Sequence, residues 1–230
     1  MAQALTETEK GKESSITLVS VTCDISKDPS PVLREGITDL FKLYFDELFE
    51  LGCDLGFQGF QNEWIDLPGK LETFWLFTPP SSYNLPTRII PIGKYDFEKR
   101  GAIFAAVEVA TTTSPNTNGN TDNLKDFLTQ KEQIVGCICL RPLTDNCGEL
   151  KRMYVRKSHR KKGVGKLLAK EIIDHAWEGC QYEELKLDSL ERLEGAVALY
   201  ENLGFNRISA YCVCPEADHV CMSKFRIERK

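Results

Sequence analysis

The stretch Lys151–Gly165, KRMYVRKSHRKKGVG, restricts the fold more than any other part of the chain. An apolar-tinged strand, Leu150–Val155, runs through a short basic link into Arg160-Lys-Lys-Gly163-Val-Gly165, and a long amphipathic helix begins at once. A strand, a glycine turn and a helix N-terminus in that order build a phosphate cradle from backbone N–H groups. Lys151–Lys166 holds eight basic residues and no acidic one, in a chain of formal net charge −5. The local field favours a multiply charged anion at the turn. The whole chain, with a pI near 5.4, offers no general attraction to nucleic acid or to an anionic membrane.

Spacing excludes two phosphate-binding motifs. A P-loop needs G-x-x-x-x-G-K-[ST], but Lys166 is followed by Leu167. A dinucleotide fingerprint needs a third glycine, but Gly163-x-Gly165 continues as Lys-Leu-Leu. What remains is R-x-x-G-x-G. A solvated basic face, or a nuclear-localisation-like patch (RKSHRKK), would account for the charge but not for glycines at this spacing.

The 230 residues, 42% of them hydrophobic, suffice for a full core as one large domain or two small ones. Ile16–Thr22 alternates and is rich in β-branched residues, so it reads as a strand. Ser30-Pro31 opens a helix whose apolar residues recur at 3–4 spacing through Leu51, and Gly52 ends it. Gln58–Asp66 reads as a shorter helical or irregular piece, with a turn at Leu67-Pro68-Gly69. Ala102–Val109 and Ile134–Leu140 read as an antiparallel strand pair with an overlong, polar connection over Thr111–Asn123. Glu149–Val155 is a strand, Val164–Gly179 a helix, and Leu185–Leu187 the middle of a short strand. Leu193–Leu203 is a helix ended by Gly204, and Asn206–Cys214 and Val220–Phe225 form a final strand pair. This order predicts a mixed α/β (α+β) protein with a central, mostly antiparallel sheet flanked by helices.

These residues also carry a resemblance. The R-x-x-G-x-G turn resembles the pyrophosphate loop of the GCN5-related N-acetyltransferases (GNAT). Ala196-Val-Ala-Leu199-Tyr200-Glu-Asn-Leu-Gly204-Phe205 looks like that family's A-x-x-L-Y-x-x-x-G-F signature, and Ile134-Val-Gly136 matches its third strand. The likeness is close over Ile134–Phe205 and loose over Ile16–Asp66. It implies a flexible tail over 1–14 and a single GNAT-like domain over 15–230, with inserted loops around 70–101 and 110–132.

The resemblance implies acetyl-CoA as co-substrate, transferred to a primary amine of a small molecule or amino acid in a ternary complex. A protein lysine or N-terminal acetyltransferase, or a non-catalytic acyl-CoA-binding module, are the alternatives. Arg160, Lys161, Lys162, Gly163, Val164, Gly165 and Lys166 would hold the diphosphate. Met153, Tyr154 and Val155 would meet the pantetheine arm through main-chain groups, and the N–H near Met153 would polarise the thioester carbonyl. Tyr200 matches the family's general acid and Glu149 is the candidate base, the alternative for each being a packing or ion-pairing role. Arg141 and Arg152 imply an acceptor carrying a carboxylate or phosphate if they face the cleft; otherwise they pair with Glu149 or Asp188. Phe57, Gln58 and Tyr211 fall where the family shapes its acceptor pocket. One position departs from the family: Leu193 stands where an asparagine often contacts coenzyme A.

The nine cysteines read as buried apolar thiols in a reducing cytosol, with no metal. Alternation on a strand would place Cys137 with Cys139, and Cys212 with Cys214, on one face. A metal site drawing on Cys212, Cys214, His219 and Cys221 stays open. The N-terminal segment lacks the apolar core of a signal peptide, and no apolar run is long enough to span a membrane. The expectation is a cytoplasmic monomer or homodimer with no nucleic-acid or membrane partner.

Overall fold

The structure is a computed structural model that describes residues 4–5, 14–20, 31–53, 100–110 and 129–227. The expected Gln58–Asp66 piece, the turn at 67–69, the inserted loop at 70–99 and the Thr111–Asn123 connection lie outside these residues. In chain order the elements are β1 (Ala4–Leu5), β2 (Ser14–Ser20), α1 (Pro31–Glu50), β3 (Ala102–Ala110), β4 (Ile134–Pro142), β5 (Cys147–Val155), α2 (Val164–Glu178), β6 (Glu184–Leu190), α3 (Glu194–Asn202), β7 (Asn206–Ile208) and β8 (His219–Phe225). They build one eight-stranded sheet in the order β1-β2-β3-β4-β5-β6-β8-β7. Every neighbouring pair is antiparallel except β5 and β6.

The mixed, mostly antiparallel sheet is therefore as the sequence order predicts. Three local expectations differ. Ala4–Leu5, placed in a flexible tail, pairs with Thr17 and Ile16 at the sheet edge. The last strand pair is shorter than its apolar pattern suggested: β7 ends at Ile208, paired with Cys221, although β8 itself begins two residues earlier at His219. Cys212 and Cys214 therefore sit on a connection, not a strand, and strand alternation does not place them.

Strand alternation divides the core. From β3, Ala102, Phe104 and Ala106 join one cluster with Leu168 and Ile172 of α2. Ile103, Ala105 and Val107 join the other with Ile37, Leu40 and Phe41 of α1. This period-two split places α1 on one face of the sheet and α2 on the other. Cys137 and Cys139 both face the α1 side, as their C-x-C spacing predicts. Gly36 lets α1 approach β4 closely: a Cβ there would lie 2.4 Å from the Ile134 side chain.

Two helices end alike. After α1, Gly52 takes a φ of +78°, with Gly52 N–H donating to Phe49 and Cys53 N–H to Leu48. After α3, Gly204 takes a φ of +84°, with Gly204 N–H donating to Glu201 and Phe205 N–H to Tyr200. This is the Schellman motif, in which glycine is favoured because an L side chain opposes positive φ. Its usual hydrophobic contact is present after α3, where the Tyr200 and Phe205 rings meet edge-to-face with centroids 5.6 Å apart.

Candidate active site

The site begins where two parallel strands part. β5 and β6 are paired from Cys147 with Glu184 to Leu150 with Leu187, and no further, although β5 runs on to Val155 and β6 to Leu190. At the same place β5 carries an extra residue. Cys139 faces Lys151 and Cys137 faces Tyr154, so three steps on β5 match two on β4. Arg152 absorbs this bulge with a φ of +55°. A bulge bends its strand and frees its edge. The result is a cavity of about 680 Å³, lined by Lys151–Val155, Asp188–Leu190, residues of the glycine turn, and Tyr200.

The glycine turn forms one end of this cavity. Lys161 and Gly163 have φ of +62° and +81°. Gly163 is the N-cap of α2 and has no side chain to cap with; no acidic residue lies in the first turn. The first intrahelical bond runs from Leu167 N–H to Gly163 C=O. The amides of Gly163–Lys166 thus lack intrahelical partners, and the lysines beside them add positive charge instead of the usual carboxylate. The two glycines serve different ends. A Cβ on Gly163 would meet nothing within 4 Å, so its positive φ is the constraint; one on Gly165 would lie 2.9 Å from Met153 Cε. Arg160 closes the turn from outside. Its Nε donates to Val155 C=O, and its two terminal nitrogens donate to the Glu47 carboxylate of α1 at 2.8 and 2.7 Å. Those hydrogen bonds hold the Glu47 carboxyl below its ordinary range.

Tyr200 enters the cavity from α3. Its phenol donates to Met153 Sδ at 3.0 Å. Burial, with the nearby Tyr44 and Asp188 adding to it, pushes this phenol well above its ordinary pKa. It stays protonated at physiological pH and directs that proton at a sulfur.

Glu149 lies behind the wall. It is 1% exposed and does not line the cavity. Arg141 Nε donates to one of its oxygens, and the Tyr211 hydroxyl donates to the other at 2.8 Å. Burial, followed by the Glu149 charge, drives the Tyr211 phenol far upward. Lys151 Nζ lies 3.7 Å from Glu149 and 2.5 Å from Asp188 Oδ1. Burial alone would raise the Asp188 carboxyl, but the Lys151 ammonium, with Arg152 and His219, holds it below its ordinary range. Lys151 therefore bridges the buried carboxylate and the one that faces the cavity.

The structure thus brings together Met153, Tyr154, Val155, Arg160, Lys161, Gly163, Gly165, Lys166, Arg152 and Tyr200 around one cavity. Lys162 and Val164 flank the turn without lining it, the lysine exposed and the valine buried against the sheet. Arg141 takes the ion-pairing alternative with Glu149, while Arg152 is buried at the cavity wall. Tyr211 joins Glu149 outside the lining, and Phe57 and Gln58 lie outside the described residues. Leu193 lines the cavity as the N-cap of α3, without a side-chain cap. Sequence reasoning missed Glu47, Lys151 and Asp188 as wall residues. A charged residue on the alternating strand ELKLDSL was the available signal for Asp188, but its partner is set by the parallel pairing of β5 with β6.

Comparison with known proteins gives a concordant answer. The family model described as the acetyltransferase (GNAT) family matches residues 110–205, which contain the parted strands, the turn and Tyr200. Residues 110–205 are thus similar to the GNAT family. An uncharacterized N-acetyltransferase of Schizosaccharomyces pombe is 40% identical over 78 residues, 34% of this chain and 47% of that one. The uncharacterized N-acetyltransferase YsnE of Bacillus subtilis is 39% identical over 90 residues, 38% of this chain and 56% of that one. The chain thus spans about half the length of these curated relatives. Among solved structures, an acetyltransferase from Streptococcus agalactiae superposes with a TM-score of 0.55 at 16% identity, covering 92% of this chain and 98% of that one. A GNAT-family acetyltransferase from Staphylococcus aureus superposes with a TM-score of 0.53 at 18% identity, covering 91% and 98%. These likenesses establish the GNAT fold. No helix among the described residues is long and apolar enough to cross a membrane.

Proposed function

We propose that this GNAT-fold domain is an acetyl-CoA-dependent N-acetyltransferase. It moves the acetyl group to a primary amine of a small molecule or amino acid, directly, in a ternary complex. One observation carries the reading: an uncapped, lysine-flanked helix N-terminus and a buried phenol open onto the same cavity, at the point where β5 exposes its edge. The residues present fit the cofactor. A diphosphate suits the amides of Gly163–Lys166 and the charge of Lys161 and Lys166, and an extended polar arm suits the unpaired edge of β5.

Acetyl-CoA, when bound, supplies the activated thioester. The chain supplies the rest. The amides of the turn anchor the diphosphate, and the main chain near Met153 offers an N–H to the carbonyl oxygen. Tyr200, kept protonated by burial, delivers its proton to the departing thiolate; a phenol suits a sulfur leaving group of pKa about 8.5. The attacking amine must first lose a proton. In this proposal Glu149, sealed behind the wall, does not meet the amine; the cavity-facing Asp188 carboxylate takes the proton, and Lys151 ties it to Glu149. Arg152, on the cavity wall, suits an acceptor with a carboxylate or phosphate.

The test is thiol release from acetyl-CoA against a panel of free amines, amino acids and peptides. Turnover on a free amine, abolished by Tyr200→Phe, supports the proposal. Turnover on peptides alone would move the acceptor to a protein, and tight acetyl-CoA binding without turnover on any amine would refute an enzyme.

A further inference from the structure

A second cluster of reactive side chains lies at the far side of Asp188. Asp188 of β6 and Cys221 of β8 are direct cross-strand partners. His219, two residues before Cys221 on β8, shares its face. The connection from β7 to β8 brings Cys212 back over them. The Cys212 and Cys221 sulfurs lie 3.8 and 3.6 Å from His219 Nε2. One donor atom from each of these three residues lies within 4.8 Å of the other two. Asp188 Oδ2 lies 3.9 Å from the same His219 nitrogen, while its Oδ1 is held by Lys151. Cys221 is buried, and the side chains of His219 and Asp188 are each 10% exposed.

Two sulfurs and one imidazole nitrogen form three of the four donors of a tetrahedral soft-metal site. With Zn–S about 2.3 Å and Zn–N about 2.0 Å, tetrahedral geometry sets S···S edges of about 3.8 Å and N···S edges of about 3.5 Å. The N···S separations here are already within a few tenths of an ångström of that. Asp188, held on one oxygen by Lys151, turns its other oxygen toward the same imidazole as an outer contact of the cluster.

We propose that Cys212, His219 and Cys221 bind one Zn²⁺. The site is structural: it fastens the 209–218 connection, which carries Tyr211, onto the sheet, beside the cavity wall that Asp188 forms. Cys214, the fourth member suggested by sequence, takes no part; it packs against the α1-side core instead. The proposal is independent of acyl transfer.

Cobalt(II) titration of the reduced full-length protein is the test, because tetrahedral thiolate–cobalt coordination has its own absorption. One equivalent should give intense visible d–d bands and a thiolate-to-cobalt charge-transfer band, both erased by one equivalent of Zn²⁺. Cys212→Ser and Cys221→Ser should each cut the charge-transfer intensity and weaken zinc binding by about 100-fold or more. Absence of the charge-transfer band in the wild-type protein at one equivalent would overturn the proposal without recourse to any variant. So would its persistence in a folded Cys212→Ser/Cys221→Ser double variant.

Discussion

Tyr200 is the proton donor of the proposed reaction, and the chain fixes it three times over. Its backbone carbonyl is the acceptor of the Schellman bond from Phe205, its ring packs on Phe205, and its hydroxyl meets Met153 Sδ. Tyr200→Phe removes the proton donor and little else. It should lower kcat by roughly 10²–10⁴-fold, the range of a positioned general acid, and leave the Kd for coenzyme A within a few-fold. Pre-steady-state thiol release and calorimetry would separate the two. Asp188 supports a second prediction. Its carboxyl sits below the ordinary range because of Lys151, Arg152 and His219, so folding favours its ionised form. The stability it contributes is complete above about pH 4, where the unfolded carboxyl is ionised, and is lost as pH falls through its own lower pKa. Urea unfolding of wild-type and Asp188→Asn proteins should differ most near neutrality and converge in acid.

At the scale of elements, glycines decide how α1, α2 and α3 meet the sheet. Gly204→Ala puts an L residue at a φ of +84°. It should lower stability by roughly 1–2 kcal/mol and, by loosening the Schellman turn, lower kcat as well. Equilibrium urea unfolding alongside turnover would show both effects. Gly36→Ala acts by contact instead. Its Cβ would meet Ile134, which is fully buried and has nowhere to go. The expected loss is about 1–3 kcal/mol with the Kd for coenzyme A little changed, since Gly36 lies about three helical turns before Glu47, the α1 residue that meets Arg160. The elements themselves were legible in the sequence because each is short-range: Pro31 and Gly52 bracket α1, and apolar periodicity defines α2. Ile208 and Cys212 show the failure of that reading, since the apolar pattern continues beyond Ile208 while the pairing with β8 stops there.

The whole molecule places a basic turn within an acidic chain. Acetyl-CoA association should therefore slow with salt, roughly tenfold or more between low and high ionic strength, because the attraction is local and screened beyond about 10 Å. Stopped-flow binding at several salt concentrations would measure it. The sequence by itself determined the glycine turn, the helix behind it, the Tyr200-to-Phe205 signature and the layered, mostly antiparallel sheet, because these rest on neighbours a few residues apart. Only the tertiary structure decided that β5 and β6 part after Leu150, that Glu149 is sealed by Arg141 and Tyr211 while Asp188 faces the cavity, and that Glu47 of α1 reaches Arg160. These partners are from 8 to 113 residues apart in the chain and meet through strand register and helix seating. Local patterns carry the first kind of information. The second exists only once the sheet has fixed which strands lie side by side.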